Sequence, residues 1–328
     1  MKLGILGAGS IAGVMAKTVR LLNQNGHPEI ELYAVAARQA DRAEAFAREN
    51  GVQRAYGGYE AMLADPAVDL VYIATPHSHH YGQIRMCVAH GKHVLCEKAF
   101  TVNARQAEVA LREARDRGLL VTEAIWTRYQ PMRRRIREVV ESGEIGTPRL
   151  LTANLGYYNA QVPRIARPEL AGGALLDMGV YPLNFAEMVF DHPDGVQGVC
   201  TKNELGVDMT DNITLTWADG RAAHLTAAAT GISDRLGVIY GTAGTLVVDN
   251  INNPEGLRVY DADHRLVRRE SRPPQLTGYE YELLEAADCI ARGLTECPSM
   301  PHRETLHIMA EMDCLRAQMA VRYPCESL

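Results

Sequence analysis

Lys98, Asp177 and Tyr181 are the residues whose types and settings could carry proton chemistry. Lys98 follows Cys96-Glu97 at the end of an apolar, strand-like run. A lysine at the carboxyl end of a strand can hydrogen-bond a hydroxyl and favour alkoxide character developing on that oxygen. A solvated loop lysine explains the same position equally well. Asp177 and Tyr181 stand at i and i+4 behind the glycine-rich approach Ala171-Gly172-Gly173-Ala174. If a helix begins there they share a face, where a carboxylate can orient a phenol. A nearby lysine would lower that phenol's pKa from its usual value of about 10, making Tyr181 a proton donor or acceptor. The plainer alternative is that Asp177 caps the helix and Tyr181 packs in the core.

A second cluster is suited to phosphate. Gly7-Ala8-Gly9-Ser10-Ile11-Ala12 follows the first apolar run and opens an amphipathic stretch, the context in which G-x-G-x-x-A binds a dinucleotide. Gly7 permits the tight turn, Gly9 lets backbone approach a pyrophosphate, and the helix start offers amides and a positive dipole end. At the end of the next strand, where a carboxylate would accept the ribose 2′-hydroxyl, the chain reads Ala36-Ala37-Arg38. A guanidinium there pairs with a 2′-phosphate, so NADP is expected, with NAD possible. Arg42, one turn on, either assists or is a solvated helix residue. The run Thr75-Pro76-His77-Ser78-His79-His80 invites a metal reading, but no Cys or carboxylate stands nearby; no metal is expected there.

Elements must position these groups. Over the first ~125 residues short apolar runs, at about 2–6, 30–36, 69–73, 93–96 and 119–122, alternate with helical patterns at about 10–24, 39–50, 58–64, 79–90 and 103–117. That rhythm gives βαβ units, right-handed crossovers and ligand sites at the strands' carboxyl ends. After Trp126 comes a helix at about 128–142. Strands follow near 148–157, 196–202, 235–241, 244–249 and 257–260, with a hairpin joining 212–217 to 222–230 through Asp219-Gly220. Helices near 277–293 and 302–320 close the chain. The change of period places a domain boundary near residue 124, giving domains 1–124 and 125–328.

With 328 residues, 47% hydrophobic and 23% charged, the chain falls among globular proteins and outside the disordered, collagen-like and disulfide-scaffold classes. The net charge is −6, and the arginines at 133, 134, 135 and 137 sit beside Glu138 and Glu141, so nucleic acid is not an expected partner. Seven cysteines without C-x-x-C spacing read as thiols in a reducing compartment. No signal-like segment precedes Met1-Lys2-Leu3 and no stretch has the length of a membrane span, so the cytoplasm is expected.

GAGSIAG, AARQADRAEAFA, ATPHSHHY, HVLCEKAFTVNA, TEAIWTRYQP and GGALLDMGVYPL occur in this order across nearly the whole chain. In them the sequence resembles the glucose-fructose oxidoreductase and inositol dehydrogenase family, most of all its dimeric dihydrodiol dehydrogenase-like members. The resemblance implies an α/β protein: a doubly wound Rossmann domain, then an α+β domain with a large, mostly antiparallel open sheet used for substrate binding and oligomerisation. It implies NAD(P)-dependent oxidation or reduction of a CH–OH group of a sugar, polyol or cyclic diol by a homodimer or higher oligomer. Lys98 would hold the reacting oxygen, Asp177 orient the site, and Tyr181 act as general acid/base where inositol dehydrogenases carry histidine. The cofactor set is Gly7, Gly9, Ser10, Ile11, Arg38, Thr75, Pro76, His80, Glu97 and Lys98. Trp126 and Tyr158 fall where relatives place substrate contacts, with core packing the alternative for both. Two positions depart from the family: His77 replaces a common asparagine, and Ala99 replaces a common proline, so no cis peptide is expected after Lys98. A regulator that has lost turnover and an NAD-dependent glycosidase are the rival readings.

Overall fold

Strand β1 (Lys2–Leu6) is buried along nearly all its length in the computed structural model, which describes residues 1–326. An inner parallel strand covered on both faces must be. It is followed by α1 (Ser10–Gln24), β2 (Glu31–Ala37), α2 (Ala40–Asn50), β3 (Arg54–Gly57), α3 (Tyr59–Leu63), β4 (Leu70–Ile73), α4 (His77–Ala89), β5 (His93–Glu97), α5 (Ala104–Asp116) and β6 (Val121–Ala124). The sheet order is β3-β2-β1-β4-β5-β6 with every pairing parallel. The chain winds outward from β1 on one side and restarts at β4 on the other. The crevice of this sheet therefore opens between the ends of β1 and β4, beside Gly7 and Ala74.

The second sheet begins after α6 (Pro131–Glu141) with β7 (Pro148–Gly156). A short α7 (Pro163–Ala166) and a π-helical turn, Leu175–Gly179, lead into α8 (Val180–Phe190). Seven strands follow: β8 (Gly195–Lys202), β9 (Asp208–Thr216), β10 (Ala222–Ala228), β11 (Gly237–Gly241), β12 (Gly244–Asp249), β13 (Gly256–Asp261) and β14 (Leu266–Ser271). Their order is β14-β13-β12-β11-β7-β10-β9-β8, antiparallel except where β10 pairs with β7. Burial alternates along β9 and β10, with Ile213, Leu215, Leu225 and Ala227 on the covered face, where α8 packs on β7 and β10. The Asp219-Gly220 hairpin forms, with Gly220 at φ 85°.

Two helices remain, α9 (Glu280–Ala291) and α10 (His302–Met319). The chain divides into two compact units, and residues 275–306 cluster with the first. There α9 packs on α1 and β5, the Val121 amide donates to the Thr295 carbonyl at 3.2 Å, and His302 Nε2 faces the Val121 carbonyl at 2.8 Å. The second unit comprises 102–104, 127–274 and the residues from His307 onward.

Two strands escape the sequence reading, β3 and β14. Both are sheet edges: one is four residues long and the other carries three charges, so neither shows the apolar run that marks an inner strand. No described helix is long and apolar enough to cross a membrane.

Candidate active site

The glycine turn is built as its sequence demands. Gly7 has φ 111°, and a Cβ there would lie 2.6 Å from the Ala74 carbonyl oxygen, so only glycine fits between β1 and β4. Its amide donates to Ala36 O at 2.9 Å, joining the turn to β2. Gly9 precedes α1, no side chain caps that helix, and a Cβ on Gly9 would meet nothing within 4 Å. The first turn of α1, with Ser10 and Ile11, thus starts beside open space, a cradle shaped for a phosphate.

That space is a cavity of about 580 Å³ lined by Gly7, Gly9, Arg38, Arg42, Tyr59, Thr75 and Pro76 among others, with no carboxylate in its wall. Burial raises the pKa of the Tyr59 phenol, while the positive charges of Arg38 and Arg42 both pull against that rise. A cavity with two cations, a helix start and a glycine where a side chain would intrude fits a phosphorylated dinucleotide. Sequence reasoning singled out Arg38 and left Arg42 open; Tyr59 it missed, because one tyrosine on a short helix carries no signal.

Along the same edge the ends of β4 and β5 lie side by side, Ile73 opposite Cys96. His80, in the first turn of α4, bridges them: Nε2 faces the Thr75 carbonyl at 2.8 Å and Nδ1 faces the Ala99 carbonyl at 2.9 Å. The ring is wholly buried, which lowers its pKa more than the two carbonyls raise it. His80 thereby holds the Thr75-Pro76 turn and the segment after Lys98 in fixed relation. Thr75 is held further by its hydroxyl donating to Gln83 Oε1 at 2.6 Å.

The Lys98–Ala99 peptide bond is cis, contrary to the expectation drawn from the missing proline. That expectation rested on the rarity of cis bonds before residues other than proline. It took no account of how firmly this backbone is gripped, by His80 on the Ala99 carbonyl and by Glu123 Oε1 accepting the Phe100 amide at 3.2 Å.

Behind the half-buried Lys98, the Glu97 carboxylate accepts the Lys98 amide at 3.2 Å and the Tyr72 hydroxyl. Glu282 of α9 is fully buried nearby, and burial first, then the charges of Glu97 and Glu280, push its pKa up. The same burial and the Glu97 charge raise Tyr72. Glu97 thus belongs to a buried carboxyl–phenol cluster beneath the lysine, and its partner Glu282 was invisible in the sequence. Trp126 is buried and stacks on Tyr279 at 4.1 Å between centroids, within the first unit.

In the second unit Asp177 lies in the π-helical turn and Tyr181 in the first turn of α8, both buried. Asp177 does not cap a helix: its Oδ1 accepts from Arg164 Nη1 at 2.6 Å. The turn is anchored from β9, where Asp208 Oδ2 accepts the Leu175 amide at 2.7 Å. Gly173, at φ 119°, approaches so closely that any side chain would strike the Asp208 carboxylate. Tyr158 is 66% exposed, which removes core packing as its explanation.

Asp208 and Asp211 are neighbours buried together. Burial, then the Asp208 charge, pushes Asp211 up to about 9, and burial raises Asp208 too. Folding therefore takes up a proton at pH values between the unfolded carboxyl range, near 4, and about 9. The resulting stabilisation is complete below that range and is lost as pH rises through it. In urea titrations from pH 5 to 9, wild-type stability is expected to fall more steeply than that of Asp211→Asn; equal slopes would show that Asp211 ionises freely.

Comparisons with known proteins agree with this architecture. Residues 1–125 match the "Oxidoreductase family, NAD-binding Rossmann fold", and residues 133–247 match the "GFO/IDH/MocA C-terminal domain". The trans-1,2-dihydrobenzene-1,2-diol dehydrogenase of Sus scrofa is 34% identical, aligned over 99% of this chain and 98% of that protein; the Homo sapiens enzyme is 31% identical over the same shares. A 3-ketoreductase from Actinomadura kijaniata, solved with NADP and TDP-benzene, superposes with a TM-score of 0.85 at 25% identity, covering 98% of this chain and 99% of that one. With relatives above 30% identity along its whole length and both domain signatures in order, the chain belongs to the GFO/IDH/MocA family of oxidoreductases.

Proposed function

We propose that this protein is an NADP-dependent oxidoreductase that interconverts a secondary alcohol and its carbonyl on a sugar, polyol or cyclic diol. The observation that carries the reading is the cavity at the glycine turn, with Arg38 and Arg42 in its wall and no carboxylate to repel a 2′-phosphate. Both the diol dehydrogenase relatives and the NADP-bound ketoreductase support it.

When bound, the nicotinamide supplies hydride transfer. The Gly7–Ile11 backbone holds the pyrophosphate, Arg38 holds the 2′-phosphate, and Thr75, Pro76 and Glu97 flank the remainder. His80 acts on these contacts by fixing the two turns it bridges. Lys98 hydrogen-bonds the substrate oxygen and stabilises its negative charge, while Tyr181 exchanges the hydroxyl proton. Asp177, tied to Arg164, positions the helix start that carries Tyr181. Trp126 and the exposed Tyr158 contact the substrate. Residues 1–124, with 275–306 packed on them, hold the dinucleotide, and the rest of 125–328 carries substrate recognition and self-association, as a cytoplasmic dimer or larger oligomer.

The test is a panel of sugars, inositols and trans-diols followed by nicotinamide absorbance with NADP and NAD side by side. Turnover of at least one class with NADP favoured is expected. Absence of turnover across the panel, or a clear preference for NAD, would overturn the proposal.

A further inference from the structure

We infer that Glu187, His192 and His307 form a binding site for a divalent transition metal of the zinc class, with Glu311 facing it as a second carboxylate. All four belong to the second unit. Glu187 lies in the last turn of α8 and His192 just beyond it, while His307 and Glu311, at i and i+4, share one face of α10. One ligand atom from each of Glu187, His192 and His307 lies within 4.8 Å of the others.

The spacings resemble the edges of a coordination polyhedron. His192 Nδ1 is 3.0 Å from Glu187 Oε2, and His307 Nε2 is 3.6 Å from Glu187 Oε1 and 3.3 Å from Glu311 Oε1. A tetrahedron with zinc bonds of about 2.1 Å has edges of about 3.4 Å. The His307–Glu311 approach is short, yet its alignment is not that of a hydrogen bond, and neither oxygen of Glu311 has a hydrogen-bond partner.

Charge gives an independent reason. Glu311 is only 5% exposed and neither of its oxygens is hydrogen-bonded, so a carboxylate is withdrawn from water there, which is costly without a cation. The two imidazole rings lie 3.6 Å apart between centroids, so protonating both would set like charges face to face. A dication bound by neutral imidazoles offsets the Glu311 carboxylate and avoids that repulsion. His192, on the exposed side, leaves the ion a route from solvent. The site would fasten the end of α8, whose first turn carries Tyr181, to α10.

The test uses the full chain without a histidine tag, treated with chelator, desalted and titrated with zinc chloride against a chromophoric competitor. One zinc per chain is expected, with a dissociation constant below about 1 μM and weakening of about 100-fold in His307→Asn. His192→Asn, at an exposed position, keeps the fold and is expected to weaken zinc similarly. Zinc should also raise the melting temperature of the wild type but not of either variant. Stoichiometry near zero, or affinity unchanged in His192→Asn, would overturn the assignment and leave an imidazolium–carboxylate cluster.

Discussion

Replacing Lys98 by methionine is expected to lower kcat by about a thousandfold, or about 4 kcal/mol of transition-state stabilisation, while NADP affinity stays within a few-fold. Methionine keeps the unbranched stem, so the half-buried position should remain packed and the Glu97–Tyr72 cluster beneath it intact. What disappears is the ammonium proposed to hydrogen-bond the reacting oxygen. Tyr181→Phe, losing only a hydroxyl, should cost a similar factor and shift the pH profile of whatever activity remains. Groups acting on the same oxygen are not additive, so the double variant should lose far less than the product of the two factors. Steady-state kinetics with separate dinucleotide titrations decide the matter. A Lys98→Met enzyme with wild-type kcat, or two losses that simply multiply, would show that these residues do not share a reacting atom.

The Arg38→Asp variant is expected to weaken NADP by about 100-fold or more, because the proposed charge-assisted contact to phosphate is removed and a carboxylate put in its place. NAD should bind at least as well as to the wild type, since the new carboxylate can accept the ribose hydroxyl, and kcat at saturation should change little. Arg42 stands in the same cavity and sets a floor under the loss. Titration of both dinucleotides with the wild type, Arg38→Asp and Arg42→Ala separates the two arginines. An unchanged ratio of NADP to NAD affinity would mean that Arg38 points at something other than the 2′-phosphate.

How much of this was legible beforehand depended on whether the signal was local. The Gly7–Ala12 turn could be read because strand, turn and helix are consecutive and only glycine tolerates the approach to Ala74. The inner strands β1, β2, β4 and β5 announced themselves by burial on both faces, while the edges β3 and β14 had too little buried surface to leave a pattern. Helix α8 was only conditional in the sequence, because it is buried almost all round and has no polar stripe to reveal its period. Residues 275–306 show a helical pattern, but periodicity does not say which sheet a helix covers, and α9 returns to the first unit.

For the proposed roles, Arg38, Thr75, His80, Lys98, Asp177 and Tyr181 could be named because each stands in a one-segment motif. What was missed joins distant segments: Glu282 under Glu97, Asp208 under the π-helical turn, and the Glu187, His192 and His307 set across α8 and α10. Each is an acid or histidine of ordinary local context whose character comes from burial, which no stretch of sequence displays. The cis bond after Lys98 was missed for the same reason: the groups that grip it, His80 and Glu123, come from elsewhere in the chain.

The central claim is that a hydride passes between substrate carbon and the dinucleotide held at the glycine turn. It is tested most directly with an alcohol substrate deuterated at the reacting carbon, by weighing the recovered dinucleotide after turnover. The account predicts NADPH carrying one deuterium at the nicotinamide ring. Substrate consumed with the dinucleotide neither reduced nor labelled would contradict it.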